Sequence, residues 1–169
     1  MNNPSFNDLS QPEANHIQLY SDPELFELEL ERIFYSTWVY IAHESEIPEP
    51  GDFKTTFIGR VPVLLTRDDD NNVHVLLNRC THRGATVCPN EQGNAKQFVC
   101  AYHAWTFDLD GSLNAVGLPS GYNEGEIDYE SLSLKKVAKV GNYRGFIFAT
   151  LAEFARSFDE HIGETKKYI

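Results

Sequence analysis

Between Asp52 and Thr150 the apolar residues fall into short blocks separated by polar or Gly/Pro-containing breaks, a rhythm of strands and tight turns. The blocks predict strands over about 53–58, 61–67 and 73–77. The polar run Asp68, Asp69, Asp70, Asn71, Asn72 forms the turn between the last two. That run faintly resembles a calcium loop, but it lacks the glycine and the terminal glutamate such a loop needs. Further strands are expected at 97–100, at Trp105 to Phe107, at about 132–140 and at about 143–150, with 114–130 as a Gly-rich, acidic loop. The two ends read differently. Leu25, Phe26, Leu28, Ile33 and Phe34 recur at near-helical spacing to about Ser36. Ser21 or Asp22 caps that helix, Pro23 takes its first turn, and Glu24 completes a capping box with Ser21. Phe154, Phe158, Ile162 and Ile169 mark a helical face at the C-terminus, and Ser157 to Glu160 forms a second capping box. Residues 1–20 form a polar arm without periodicity. The pattern therefore predicts a mostly β chain, an antiparallel sandwich with a helix at each end.

Two loops of this framework carry candidate chemistry. Cys80 and His82 follow the 73–77 strand, Cys100 and His103 follow the 97–100 strand, and seventeen residues separate His82 from Cys100. Each pair is expected at the tip of a hairpin-like loop, on a scaffold rigid enough to hold metal geometry. One thiolate and one imidazole per loop suit two metal ions of different softness. Thiolates take one iron and imidazoles the other, the mixed Cys/His ligand set of a [2Fe–2S] centre. A single tetrahedral zinc uses the same residue types, but its ligands usually come as Cys…Cys then His…His, or as paired knuckles. The order Cys, His, Cys, His fits a cluster that both loops reach, and a structural zinc module stands as the alternative.

Composition narrows the setting. The chain has 169 residues and 41% hydrophobic content, enough for one domain with its own core. Its net charge of −11 leaves little to neutralise a run of phosphates, so no nucleic acid partner is expected. The acidic surface suits a basic patch on a redox partner, and equally serves solubility. Met1 to Gln11 has no apolar core of a signal peptide, and no stretch approaches the ~20 apolar residues of a membrane span, so no membrane association is expected. Cys88 has no free cysteine to pair with once Cys80 and Cys100 bind metal. It reads as a reduced, semi-buried thiol and points to a reducing, cytoplasmic compartment.

The residues around the ligands run Leu77-Asn78-Arg79-Cys80-Thr81-His82-Arg83-Gly84-Ala85 and Cys100-Ala101-Tyr102-His103-Ala104-Trp105-Thr106-Phe107-Asp108. They closely resemble the Rieske domain of the large (α) subunit of aromatic-ring-hydroxylating dioxygenases, whose pattern is C-x-H-R-G followed by C-x-x-H-[GA]-W-[TSC]-[YF]. Ala104 stands where Gly is usual, as in some benzoate- and anthranilate-type members. The resemblance runs from Ser21 to Phe148. It implies a Rieske-type antiparallel β-sandwich over 21–169, with a small cluster-binding subdomain at 79–106. It implies Cys80 and Cys100 on an inner iron, and His82 and His103 on an outer one. Around the cluster, Gly84 would admit close backbone approach to a sulfide and Trp105 would wall off water. Arg83 would either guide docking or pair with an acidic residue. Respiratory-type Rieske proteins resemble one another in a disulfide between the cluster loops, and Ala85 and Tyr102 stand at those positions here. They also place a Ser donor where this chain has Trp105, so a potential toward the lower end of the ~−150 to +300 mV Rieske range is expected.

The family's α subunits also hold a mononuclear Fe(II) in a second, catalytic domain. The remaining histidines, His16, His43, His74 and His161, show no facial-triad arrangement. The apolar end at Ile169, without an evident cap, reads as a truncation that leaves the catalytic domain outside this chain. The fragment is thus expected to transfer electrons from a reductase or ferredoxin donor to the catalytic domain of the same or a neighbouring α subunit. A free-standing Rieske ferredoxin is the alternative within the same chemistry, although such proteins are usually shorter.

Overall fold

The computed structural model describes residues 9–10 and 13–169; the rest of the expected N-terminal arm lies outside the described residues. The central layer is a four-stranded antiparallel sheet of β2 (Asp52–Ile58), β3 (Val61–Arg67), β4 (Val73–Leu77) and β5 (Gln92–Asn94), in the order β4-β3-β2-β5. Three of these strands lie within a residue of their expected limits. Each is joined to the next by a tight turn, so its pairing is set locally: Phe53 faces Thr66 and Ile58 faces Val61 across the first hairpin, and Val63 faces Leu77 across the second. The second turn is held by Asp68, whose carboxylate accepts from the backbone N–H groups of Asp70 (3.0 Å) and Asn72 (2.7 Å) and lies 2.7 Å from His74 Nε2.

β3 shows why this sheet sits in the middle. Val63, Leu64 and Leu65 are all fully buried. Successive strand side chains point to opposite faces. Val63 and Leu65 therefore enter one core with Ile41, Ile58, Val75 and Ile147, while Leu64 enters a second core with Phe53, Leu76, Phe107 and all three cysteines. The first core is closed by a three-stranded sheet of β1 (Val39–His43), β10 (Phe146–Thr150) and β9 (Lys139–Tyr143), in that order. The second is closed by a small sheet of β6 (Phe98–Val99), β7 (Thr106–Phe107) and β8 (Leu113–Ala115).

Several expectations are corrected. β1 is not evident from the pattern, because its partner β10 lies about a hundred residues downstream. The strand expected at 132–140 begins only at Lys139. Before it, the chain runs beside β4 with one isolated bridge, Leu76 to Lys136, and sends Leu134 into one core and Val137 into the other. At the helix expected after Ser21, observed as α1 (Pro23–Glu29), Asp22 is the cap, accepting from the N–H groups of Glu24 (2.9 Å) and Leu25 (3.3 Å). Ser21 instead ends a preceding turn, its Oγ donating to Ile17 O at 3.2 Å, so the Ser21–Glu24 box does not form. α1 continues as a wider π-helical turn over Leu30–Phe34.

At the other end, Ser157 and Glu160 do form the reciprocal box, which starts α2 (Phe158–Ile162). Phe158 packs on Trp38 and Phe148, with ring centroids 5.1 and 5.4 Å away. Phe154, however, precedes the helix and is 99% exposed, so it belongs to no buried face. Gly163 caps α2, and the chain continues as a 3-10 turn to Lys167, so Ile169 is not the end of an uncapped helix. Among the described residues, no helix is long and apolar enough to cross a membrane.

Candidate metal centre

The two loops are built alike. In the first, which follows β4, Cys80 N–H donates to Ala85 O (2.8 Å) and Gly84 N–H donates to Cys80 O (2.8 Å). In the second, between β6 and β7, Cys100 N–H donates to Trp105 O (2.8 Å) and Ala104 N–H donates to Cys100 O (2.9 Å). Each loop is thus a compact knuckle closed by two backbone bonds around its cysteine.

Side chains that the pattern did not single out hold these knuckles in place. Asn78, buried before the first loop, donates to Cys88 O (2.7 Å) and accepts from the N–H groups of Cys88 (2.9 Å) and Val87 (3.2 Å). Thr81 Oγ1 donates to Leu132 O, tying the loop to the 128–134 segment. Gly117 lies against the backbone of His103, where a Cβ would overlap the His103 carbonyl oxygen. The sequence shows that Asn78 stands two residues before Cys80, but its burial and partners, like the glycine's, are visible only in the fold.

The candidate donors pair by kind, one cysteine and one histidine coming from each knuckle. Cys80 and Cys100 are 3% and 2% exposed and pack in the same core cluster, close enough for the Cys100 thiol to act on the Cys80 pKa. Burial pushes the Cys80 thiol up; the backbone N–H groups of His82 and Arg83 act the other way, and the Cys100 thiol adds to the rise. His82 and His103 are half-buried, their rings 4.6 Å apart at 72°. Burial, then the charges of His103 and Arg83, lowers the pKa of His82. The thiol side of the site thus faces the core. The imidazole side opens on a groove of about 900 Å³ lined by His82, His103, Tyr102, Val99, Leu118 and Tyr122.

This geometry bears on the metal. A single zinc would draw all four donors to one point, yet among the described residues no three His, Cys, Asp or Glu side chains are grouped to share one ion. Two thiols side by side and two imidazoles side by side suit two ions, one soft pair and one harder pair. His82 Nδ1, moreover, is buried without any hydrogen-bond partner, as a nitrogen reserved for a metal would be. The model of the Rieske [2Fe–2S] domain matches residues 37–124, a span that includes both loops.

The chain belongs to the Rieske [2Fe–2S] domain family.

Its cofactor is accordingly a Rieske [2Fe–2S] cluster, and the donor set fits that group. The Rieske chain is 42% identical over 154 residues to toluate 1,2-dioxygenase subunit alpha of Pseudomonas putida, covering 90% of this chain and 34% of the relative. It is 41% identical over 152 residues to the anthranilate 1,2-dioxygenase large subunit of Acinetobacter baylyi, covering 89% and 32%. The structure superposes on naphthalene 1,2-dioxygenase from Rhodococcus sp. with a TM-score of 0.88 at 34% identity, covering 96% of this chain and 37% of that one. The Rieske chain is therefore homologous to ring-hydroxylating dioxygenase α subunits and spans about a third of the length of these relatives.

The residues flanking the Rieske site are placed as follows. Trp105 is buried and stacked on His82, with rings 4.8 Å apart and 9° from parallel. Gly84 has φ +74°, a left-handed backbone conformation that favours glycine. Arg83 is exposed, with no carboxylate in ion-pair range among the described residues. Cys88 is 5% exposed, more deeply buried than semi-buried, and burial raises its thiol pKa.

Proposed function

We propose that Cys80 and Cys100 hold one iron of the [2Fe–2S] cluster and His82 and His103 the other, and that the chain serves as the one-electron relay of an aromatic-ring-hydroxylating dioxygenase α subunit. The observation that carries this reading is the sorting of donors, sulfur beside sulfur in the core and imidazole beside imidazole at the groove. When bound, the cluster supplies reversible uptake of a single electron. The protein's own part is to bury the two cysteines and to hold the His82 ring flat against Trp105. It also leaves the imidazole edge half-exposed, where electrons enter and leave.

In this reading residues 21–169 form the Rieske domain, behind an N-terminal arm at 1–20 and with the cluster-binding subdomain at 79–106. The oxygenation itself belongs to a separate domain with a mononuclear Fe(II), in the same or a neighbouring α subunit. A cytoplasmic reductase or ferredoxin supplies the electrons. Toluate and anthranilate, named in two relatives, are aromatic carboxylates, and that is the substrate class we favour for the whole protein.

The test is chemical and spectroscopic. The purified chain, reconstituted anaerobically, should be brown, contain iron and acid-labile sulfide in equal amounts, and give an electron paramagnetic resonance (EPR) signal of mixed Cys/His ligation after dithionite reduction. Cys80→Ser and Cys100→Ser should each lose the cluster. A colourless protein holding one zinc per chain overturns the proposal.

A further inference from the structure

Among the described residues, three buried side-chain polar atoms have no hydrogen-bond partner: Gln18 Oε1, His82 Nδ1 and Trp105 Nε1. Two of the three belong to one stacked pair, since the His82 and Trp105 rings lie 4.8 Å apart and nearly parallel. The chain's other indole is treated differently: Trp38 Nε1 donates to Arg156 O at 2.9 Å. An indole N–H can only donate, and buried donors are almost always matched with an acceptor.

The location of the orphan restricts what that acceptor is. Trp105 is 3% exposed and packs in the same core as Cys80 and Cys100. Its Nε1 is shielded by this chain alone, so a docking partner would find the atom already covered. We infer that the Trp105 indole N–H donates a hydrogen bond to a sulfur of the [2Fe–2S] cluster. This rests on the proposed ligation by Cys80, Cys100, His82 and His103. It gives Trp105 a role beyond packing, and it reverses the expectation that Trp105 in place of a Ser leaves the cluster without a donor at that position. Reduction adds negative charge to the cluster, and a fixed donor stabilises the reduced form more than the oxidised one, which raises the reduction potential.

The experiment uses the full chain with its cluster, labelled with 15N at the tryptophan indoles. In the dithionite-reduced wild type, pulsed EPR should detect an exchangeable proton and a 15N nucleus coupled to the cluster. Trp105→Phe, which keeps an aromatic ring for His82 to stack on, should lose the 15N coupling and shift the potential to a more negative value while remaining brown. A fully loaded wild type without the 15N coupling overturns the inference, as does a Trp105→Phe protein with the 15N coupling and the potential unchanged. If Trp105→Phe fails to fold, the wild-type 15N measurement decides alone. A wild type that holds no cluster defeats the ligand assignment first, an outcome distinct from a cluster without indole coupling.

Discussion

Gly84 and Ala104 are structural counterparts: each lies four residues after a cysteine, donates its N–H to that cysteine's carbonyl, and adopts a left-handed backbone, with φ of +74° and +56°. Only one of them is the residue best suited to that conformation. A side chain in the left-handed region costs about 1–2 kcal/mol, whereas glycine enters it freely.

Ala104→Gly should therefore stabilise the domain. Part of the relief is offset by glycine's greater freedom in the unfolded chain, leaving a gain of roughly 0.5–1 kcal/mol. Urea denaturation of wild type and variant checks this, and a lower midpoint for the glycine form would contradict it. The same geometry accounts for Gly as the usual residue here in the family pattern.

Gly117→Ala should act in the opposite direction. The added methyl group would overlap the backbone of His103, and backbone on both sides must shift to admit it. Overpacking of this kind costs about 1–3 kcal/mol. The displaced residue is a proposed ligand, so iron content per chain should fall together with stability. Metal analysis after identical reconstitution reads the first effect and thermal melting the second.

Asn78→Ala removes three hydrogen bonds from a buried position and strands two N–H groups and a carbonyl. With a cost on the order of 1–3 kcal/mol for each buried group left unpaired, partly recovered by relaxation, a loss of roughly 3 kcal/mol is expected. Asn90→Ala, at an exposed position nearby, is the control and should change stability by less than about 0.5 kcal/mol. Equal losses in the two variants would show that the clamp contributes nothing.

The turn at Asp68 adds a pH dependence. Burial pushes the Asp68 carboxyl up, but hydrogen bonds from His74 and from the backbone and side chain of Asn72 outweigh it and leave the group below its ordinary value of 3.8. A carboxyl depressed in the folded state binds its proton more weakly there than in the unfolded chain. Its stabilisation is complete above the unfolded value and is lost as pH falls through the lower, folded one. The stability difference between wild type and Asp68→Asn should shrink as the pH falls below about 4. Denaturation curves across that range test it; a difference that grows on acidification would reverse the assignment.

What could be read in the sequence followed from locality. β2, β3 and β4 were legible because each pairs with its neighbour across a tight turn. The Ser157–Glu160 box was legible because both partners lie within one turn of helix. Pairings at long range were not. β1 meets β10 across most of the chain, and the 132–138 segment has the alternation of a strand but is claimed by two cores at once.

The site divides in the same way. The sequence by itself determined which donors are present, that they come as one thiol and one imidazole per loop, and that the flanking residues follow the Rieske pattern. Only the tertiary structure decided that sulfur sits beside sulfur in the core and imidazole beside imidazole at the groove, because two separate loops have to be superposed to sort them. It also decided that Asn78 and Gly117 brace those loops and that the Trp105 N–H is left without a protein partner. Covalent order carries composition and short-range geometry; contacts between distant segments exist only once burial of apolar surface has brought those segments together.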